Sequence, residues 1–491
     1  MPQWCINSLE TQFILSIRTS LAFSYLDRYA SLAITIASSV IIARLLTPED
    51  IGVFSVTMVL LSFLATVRDM GAGGYMVQEK DLTPEKVRAV WAVQLGIGVF
   101  LGLLVLVGST FVAKFYNEPR IQYIMVVVAL NYAINPFGSL TYAWQIRQMR
   151  FDALALVRFS ATSTGALVSV YLAWRGFGPI SLAFGALGST VVNAAMAIYF
   201  RPKWFPWLPG LKELKQVLAY GSRTTGTSII QTVAENTSEL LLAKFQSMSA
   251  TGLYSRASGL VMMFDRVILS GISSVATPWF AQKSREGGGI SDSYLRAISY
   301  VTAIGWPFSF GLIFLAHPAM RLLYGKQWDG AVELTRLMGI ALAVGMPAMM
   351  IAPAIMATGN AASLLRGTVI TAIITIALMA TGALHSLQTL GYCLILASML
   401  RALYWTWISH RVVRFQWSAL ASTLLRSAVV GIGGGLAPIA VYLTYGPRPD
   451  SVLAPLIIGV LGAACGALIS VLLIKHPLRT ELMMLIDRLR K

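Results

Sequence analysis

Thr224, Ser228, Gln231, Glu235 and Glu239 recur at spacings of four, three, four and four within the segment 218–244, whose flanks are apolar enough to enter a bilayer. In a helix those spacings align all five side chains on one face. An ionised group near the bilayer centre costs roughly 2.5–3.5 kcal/mol on insertion scales, so two carboxylates there imply a wet cavity, a charged partner or protonation. A carboxylate so placed can bind and release H⁺ or Na⁺. Glu235 and Glu239 are therefore candidate ion-coupling groups, and Asp265, inside a later apolar segment, is a third.

Other polar residues sit at helical spacing in segments of membrane length. Arg256, Gly259, Met263, Arg266 and Ser270 share a face; Asn131, Asn135, Ser139 and Tyr142 form a second stripe; Ser55, Ser62, Thr66 and Asp69 form a third. Arg28 and Arg223 lie near the starts of the segments 22–44 and 218–244. Guanidinium groups bind phosphate bidentately, while amides and carboxylates suit sugar hydroxyls. Arg28, Arg223, Arg256 and Arg266, with Gln231, Asn131 and Asn135, thus make a candidate set for a phosphorylated, sugar-bearing ligand. Plainer roles compete. Arg28, Arg223, Arg147 and Arg366 would also serve as snorkelling or topology-setting cations; Arg256 and Arg266 would also pair with Glu239, Glu235 or Asp265; the asparagines would also bond between helices.

Signatures of bond chemistry are missing from the chain. There is no GxxxxGK[ST] phosphate loop, HExxH, paired CxxC or GxSxG, and His317, His385, His410 and His476 are dispersed near segment ends. Three cysteines, Cys5, Cys393 and Cys465, are too few and scattered for a disulfide framework or zinc site. The expectation is a protein without catalytic residues, metal or cofactor.

The elements that must position these residues are membrane spans. Hydrophobic residues make up 56% of the 491 and charged residues 12%, about half the charged share of soluble domains. The expected fold class is all-α, a polytopic membrane protein with about fourteen transmembrane helices: 22–44, 51–70, 90–113, 121–143, 153–174, 178–199, 218–244, 252–280, 296–317, 331–357, 364–384, 390–410, 425–446 and 452–474. The net charge of +17 is dispersed over short loops without aromatic interleaving, which fits membrane topology and excludes a nucleic-acid partner. Most loop cations fall on one side if both termini are cytoplasmic. No removable signal peptide is evident.

Organisation follows from a partial repeat. Displacing 24–46 by 200 positions sets Ser31 on Gln231, Thr35 on Glu235, Ser38 on Ser238 and Ser39 on Glu239, and matches ARLLTPEDIGVFS from Ala43 to AKFQSMSATGLYS from Ala243. Six spans per repeat imply a parallel pseudo-two-fold pair. The expected division is an N-terminal interfacial segment 1–21, an N-lobe 22–199, a cytoplasmic linker 200–217, a C-lobe 218–410, two extra spans in 411–474 and a basic amphipathic cytoplasmic tail 475–491. The small-residue runs GIGGGLAP and GAACGA suit close packing of the last two spans. Prolines interrupt several spans, and GMPAMMIAP, with Pro347 and Pro353, is the candidate bending element.

SSVIIARLLTPEDIGVFS, RDMGAGGYMVQEKDLTPE, LLYGKQWDGAVELTRLMG and IMATGNAASLL resemble the polysaccharide-transporter (Wzx-type flippase) branch of the multidrug/oligosaccharidyl-lipid/polysaccharide (MOP) exporter superfamily, from residue 20 to about 410. The resemblance implies a V-shaped, cation-rich cavity that flips undecaprenyl-diphosphate-linked oligosaccharide across the bacterial inner membrane by alternating access. It implies as partners the lipid-linked substrate, membrane lipids, and a polysaccharide polymerase and chain-length regulator. The alternatives are a cation-coupled multidrug exporter of the same superfamily and a non-transporting polymerase or assembly protein; the short extracytoplasmic loops disfavour the last.

Overall fold

A computed structural model describes residues 27–69, 72–286 and 289–489, and every regular element among them is helical. The interfacial segment expected over 1–21 lies outside the described residues. In chain order the helices are α1 (Asp27–Leu45), α2 (Pro48–Asp69), α3 (Ala72–Gln78), α4 (Pro84–Tyr116), α5 (Arg120–Arg147), α6 (Phe151–Trp174), α7 (Ile180–Tyr199), α8 (Leu214–Phe245), α9 (Met248–Phe264), α10 (Ser270–Arg285), α11 (Ser291–Phe314), α12 (Ala316–Leu323), α13 (Val332–Gly345), α14 (Ile351–Ala357), α15 (Ala361–His385), α16 (Leu387–Val413), α17 (Trp417–Tyr445), α18 (Leu453–Leu473) and α19 (Leu478–Leu489). Thirteen helical runs among the described residues are long and apolar enough to cross a bilayer. The remaining expected span is α8, a single helix of 32 residues that its polar stripe keeps below that threshold.

Two interruptions differ from uniform helix. A π-turn over Asp265–Leu269 joins α9 to α10, and a 3₁₀ turn over Met346–Ala348 separates α13 from α14 at Pro347. The second coincides with the proposed bending element. By contrast, α5, α11 and α17 continue through Pro136, Pro307 and Pro438.

The chain divides into two compact units within α8, between Val233 and Ala234. In the first, α5 packs on α4 and α7, and α6 on α7. Arg147 donates from Nη1 to the Met76 carbonyl at 2.9 Å and from Nη2 to that of Lys80 at 3.0 Å, satisfying carbonyls that the end of α3 leaves open. The stretch before α8 is fastened to the same unit. Arg201 lies 4.1 Å from the Trp207 ring and 5.3 Å from that of Trp91, Phe205 is buried, and Gly210 N donates to the Arg88 carbonyl at 3.1 Å.

In the second unit α11 packs on α17, α17 on α18, and α15 and α13 on α16. The glycine runs bring α17 close to α18 and to α11: a Cβ on Gly466 of α18 would strike the Gly433 carbonyl of α17, and one on Gly434 would meet Pro307 Cβ of α11 at 2.7 Å. The tail helix α19 turns back on this unit, with Leu478 and Leu482 packed against Ala303, Val430 and Val471.

Candidate functional site

In the first unit polar side chains gather where α2, α4 and α5 approach one another and α2 meets α8 at Thr232. Thr66 Oγ1 lies 3.4 Å from Thr232 Oγ1, Tyr132 donates its hydroxyl to the Leu61 carbonyl at 2.7 Å, and Ser139 donates to Gln94 Oε1 at 2.7 Å. The Arg68 guanidinium stands 5.7 Å from the Tyr132 ring. Asn131 and Asn135 are half-buried on α5. The Asn131 Oδ1 atom is buried with no hydrogen-bond partner among the described residues, an acceptor held for a donor from elsewhere. Arg28 is exposed at the start of α1, beside buried Asp27, which accepts from Ser31 Oγ at 3.0 Å. Further along α1, Thr35 donates to the Ser31 carbonyl at 2.7 Å and Ser38 to that of Thr35 at 3.0 Å.

In the second unit Glu239 is half-buried on α8, beside the hydroxyl of Tyr254, which bonds Ser238. Arg256 lies over the rings of Tyr324, at 5.6 Å, and Trp328, at 5.7 Å. Burial pushes the Tyr324 hydroxyl pKa up against the opposing pull of that guanidinium. Asp265 and Arg266 are the first two residues of the π-turn, both exposed, and neither makes an ion pair with a described residue. Phe264, just before them, packs on Phe308 at 5.5 Å, in the last third of the 24-residue α11. Arg266 lies at the middle of the 38-residue apolar run Met248–Arg285. The side chains of Arg223, Gln231 and Glu235, with those of Thr224, Ser228 and Asp69, lie outside the described residues; the backbone of 224–239 belongs to one continuous helix, as their spacing requires.

The structure therefore separates the candidate set within the second unit. Arg256 belongs with α12 and the turn that follows it, Glu239 with Tyr254, and the Asp265–Arg266 pair with the π-turn. Sequence reasoning also passed over two cations on membrane-length helices, Arg68 on α2 and Arg158 on α6. Arg68 faces Tyr132, and Arg158 Nε donates to the Tyr142 hydroxyl at 2.9 Å. The signal for both was present, since each is an arginine within or closing an apolar run of membrane length.

Thirteen apolar spans, a polar fourteenth helix, and guanidinium and amide groups set inside them define a multi-pass membrane protein of the transporter class. The chain belongs to the polysaccharide biosynthesis protein family, whose profile matches residues 41–333. It is 24% identical to the succinoglycan biosynthesis transport protein ExoT of Rhizobium meliloti (strain 1021), over 82% of this chain and 80% of that protein. It is 23% identical to the lipopolysaccharide biosynthesis protein WzxC of Escherichia coli (strain K12), over 62% and 63% of the two chains. The fold is similar to that of the lipid II flippase MurJ in its inward closed conformation, with a TM-score of 0.75 and 14% identity over 92% of this chain and 97% of that one. An inward-facing multidrug resistance MATE transporter of the MOP superfamily is similar at a TM-score of 0.63, with 16% identity over 80% and 96% of the two chains. The likeness read from the loop motifs, to the Wzx-type branch of that superfamily, is borne out.

Proposed function

We propose that this protein moves an oligosaccharide linked to undecaprenyl diphosphate across the bacterial inner membrane by alternating access, with both termini cytoplasmic and no covalent chemistry. Arg266 carries the reading. An arginine at the middle of an apolar run of membrane length, exposed within its unit and with no ion pair to a described residue, calls for a watered cavity and an anionic ligand. The family match and the names of the similar proteins support a glycan carrier. Arg28, Arg223, Arg256 and Arg266 would receive the diphosphate; Asn131, Asn135 and Gln231 would meet the sugars; Glu235, Glu239 and Asp265 would exchange the coupling ion. A polymerase and chain-length regulator would take up the exported unit.

The test is glycan export in cells carrying Arg266→Ala, with membrane levels of the protein followed in parallel. Each charge-assisted hydrogen bond lost to the diphosphate is worth about 1.5–3 kcal/mol, so export falls at least tenfold while the protein stays inserted. Arg266→Lys restores it only in part, because an ammonium lacks the planar fork. Unchanged export by the alanine variant removes Arg266 from the site.

A further inference from the structure

Three membrane-spanning helices of the second unit end at one level: α11 starts at Ser291, α17 starts at Trp417 and α18 finishes at Leu473. There Arg296, Ser299, Thr423, Arg426 and Pro477, with Asp292, line a pocket of about 190 Å³. Arg296 and Arg426 are exposed, and neither makes a hydrogen bond or ion pair with a described residue.

Behind them the wall is closed and uncharged. His476 is buried, with Nε2 at 2.9 Å from Ser299 Oγ and 3.3 Å from Ser427 Oγ. Leu478 N donates to Nδ1 at 3.2 Å, so Nδ1 is the acceptor and Nε2 carries the proton of the neutral ring. Burial, and next the charge of Arg426, push the His476 pKa down to about 4. Glu481 on the tail accepts from Tyr300 at 3.1 Å, which leaves Asp292 as the acidic group of the pocket against two guanidinium groups.

Depth is marked on each element. One turn further along, α11 presents Ala303 and Ile304, α17 presents Val430, and the tail presents Leu478 and Leu482, all facing an apolar groove. Trp417, half exposed, opens α17 at the charged end, as aromatic side chains do at a membrane surface. The arginine pair thus sits where spans leave the hydrocarbon layer, at the depth of lipid headgroups. Basic pockets between helices at that depth recognise anionic headgroups.

We propose that Arg296 and Arg426 form a headgroup site for an anionic phospholipid, its phosphodiester bridging the two guanidinium groups. Two guanidinium groups exceed the single charge of Asp292, so the pocket keeps net positive charge for a phosphodiester. The site is separate from the candidate glycan residues and does not depend on the transport reading.

Lipid binding to the delipidated full-length protein in neutral detergent, read by native mass spectrometry, tests the assignment. Short-chain phosphatidylglycerol is compared with phosphatidylcholine of the same chains and with inorganic phosphate. We expect saturable phosphatidylglycerol binding at least tenfold tighter than phosphatidylcholine binding, and loss of that preference in the Arg296→Gln/Arg426→Gln double variant. Should the double variant not fold, each single variant must still lose part of the preference. Undiminished preference in these variants overturns the proposal, and so does inorganic phosphate binding as tightly as the lipid, which would mark a site for free anions.

Discussion

The guanidinium of Arg256 lies over the Tyr324 ring at 5.6 Å and beside that of Trp328 at 5.7 Å. Both rings are buried, Trp328 completely. A desolvated cation–π contact is worth about 2 kcal/mol or more, so Arg256→Ala is expected to destabilise the protein by about that much. Arg256→Lys keeps charge over the rings and should recover most of the loss. Thermal unfolding in detergent reads both variants. A stable Arg256→Lys variant that has nonetheless lost glycan export would assign the residue to substrate, and equal stability of the alanine variant would deny the aromatic contact any structural weight.

Glu235 and Glu239 test the coupling. Glutamine preserves shape and removes the change of charge. Proteoliposomes carrying Glu235→Gln or Glu239→Gln should bind substrate like the wild type yet lose flipping driven by an imposed pH or sodium gradient. Wild-type rates in both variants and in the double variant, under every gradient, would leave the carboxylates a structural role.

The tail turn has a pH limit. His476 bonds as the neutral ring, and its pKa is depressed to about 4 from the ordinary value near 6.5. A depressed pKa means that the unfolded or undocked state binds the proton more readily. The stabilisation is therefore complete above about pH 6.5 and drains away as pH falls toward 4. Protease cleavage within α19 should rise over that window, and His476→Gln should flatten the dependence. A profile that is flat in the wild type, or steep in the variant, refutes the assignment.

Close packing of α17 on α18 depends on missing side chains. Gly466→Leu would force a branched group against the Gly433 carbonyl, and overpacking of this kind costs typically 1–3 kcal/mol. A lowered melting temperature with intact insertion is expected; a neutral variant would show that the two helices separate at little cost.

Much of the scaffold was legible because membrane spans advertise themselves by length and apolarity. The 200-residue displacement read from the sequence also sets Thr47 on Ser247. Thr47 and Ser247, two hundred positions apart, both cap the next helix: Asp50 N donates to Thr47 Oγ1 at 3.2 Å and Ala250 N to Ser247 Oγ at 3.0 Å. The candidate cations were legible as types but not as neighbours. Helical periodicity placed Arg256 and Arg266 on one stripe, whereas the former is engaged by rings some seventy residues on, at Tyr324 and Trp328, contacts that no local spacing encodes. The tail's amphipathic pattern announced a helix, yet an apolar face satisfied by Ala303 and Val430 reads the same as one satisfied by lipid.

The π-turn at Asp265–Leu269 amounts to one surplus residue wound into an otherwise regular rod. Each residue of an α-helix advances about 100°, so α10 is rotated by that angle from where the count along α9 would leave it. The face α9 offers to α13 and the face α10 offers to α14 are thereby chosen separately, like two sections of a shaft joined by an offset coupling. Excising a single residue from 267–269 would restore an unbroken screw and swing every side chain of α10 away from its neighbour.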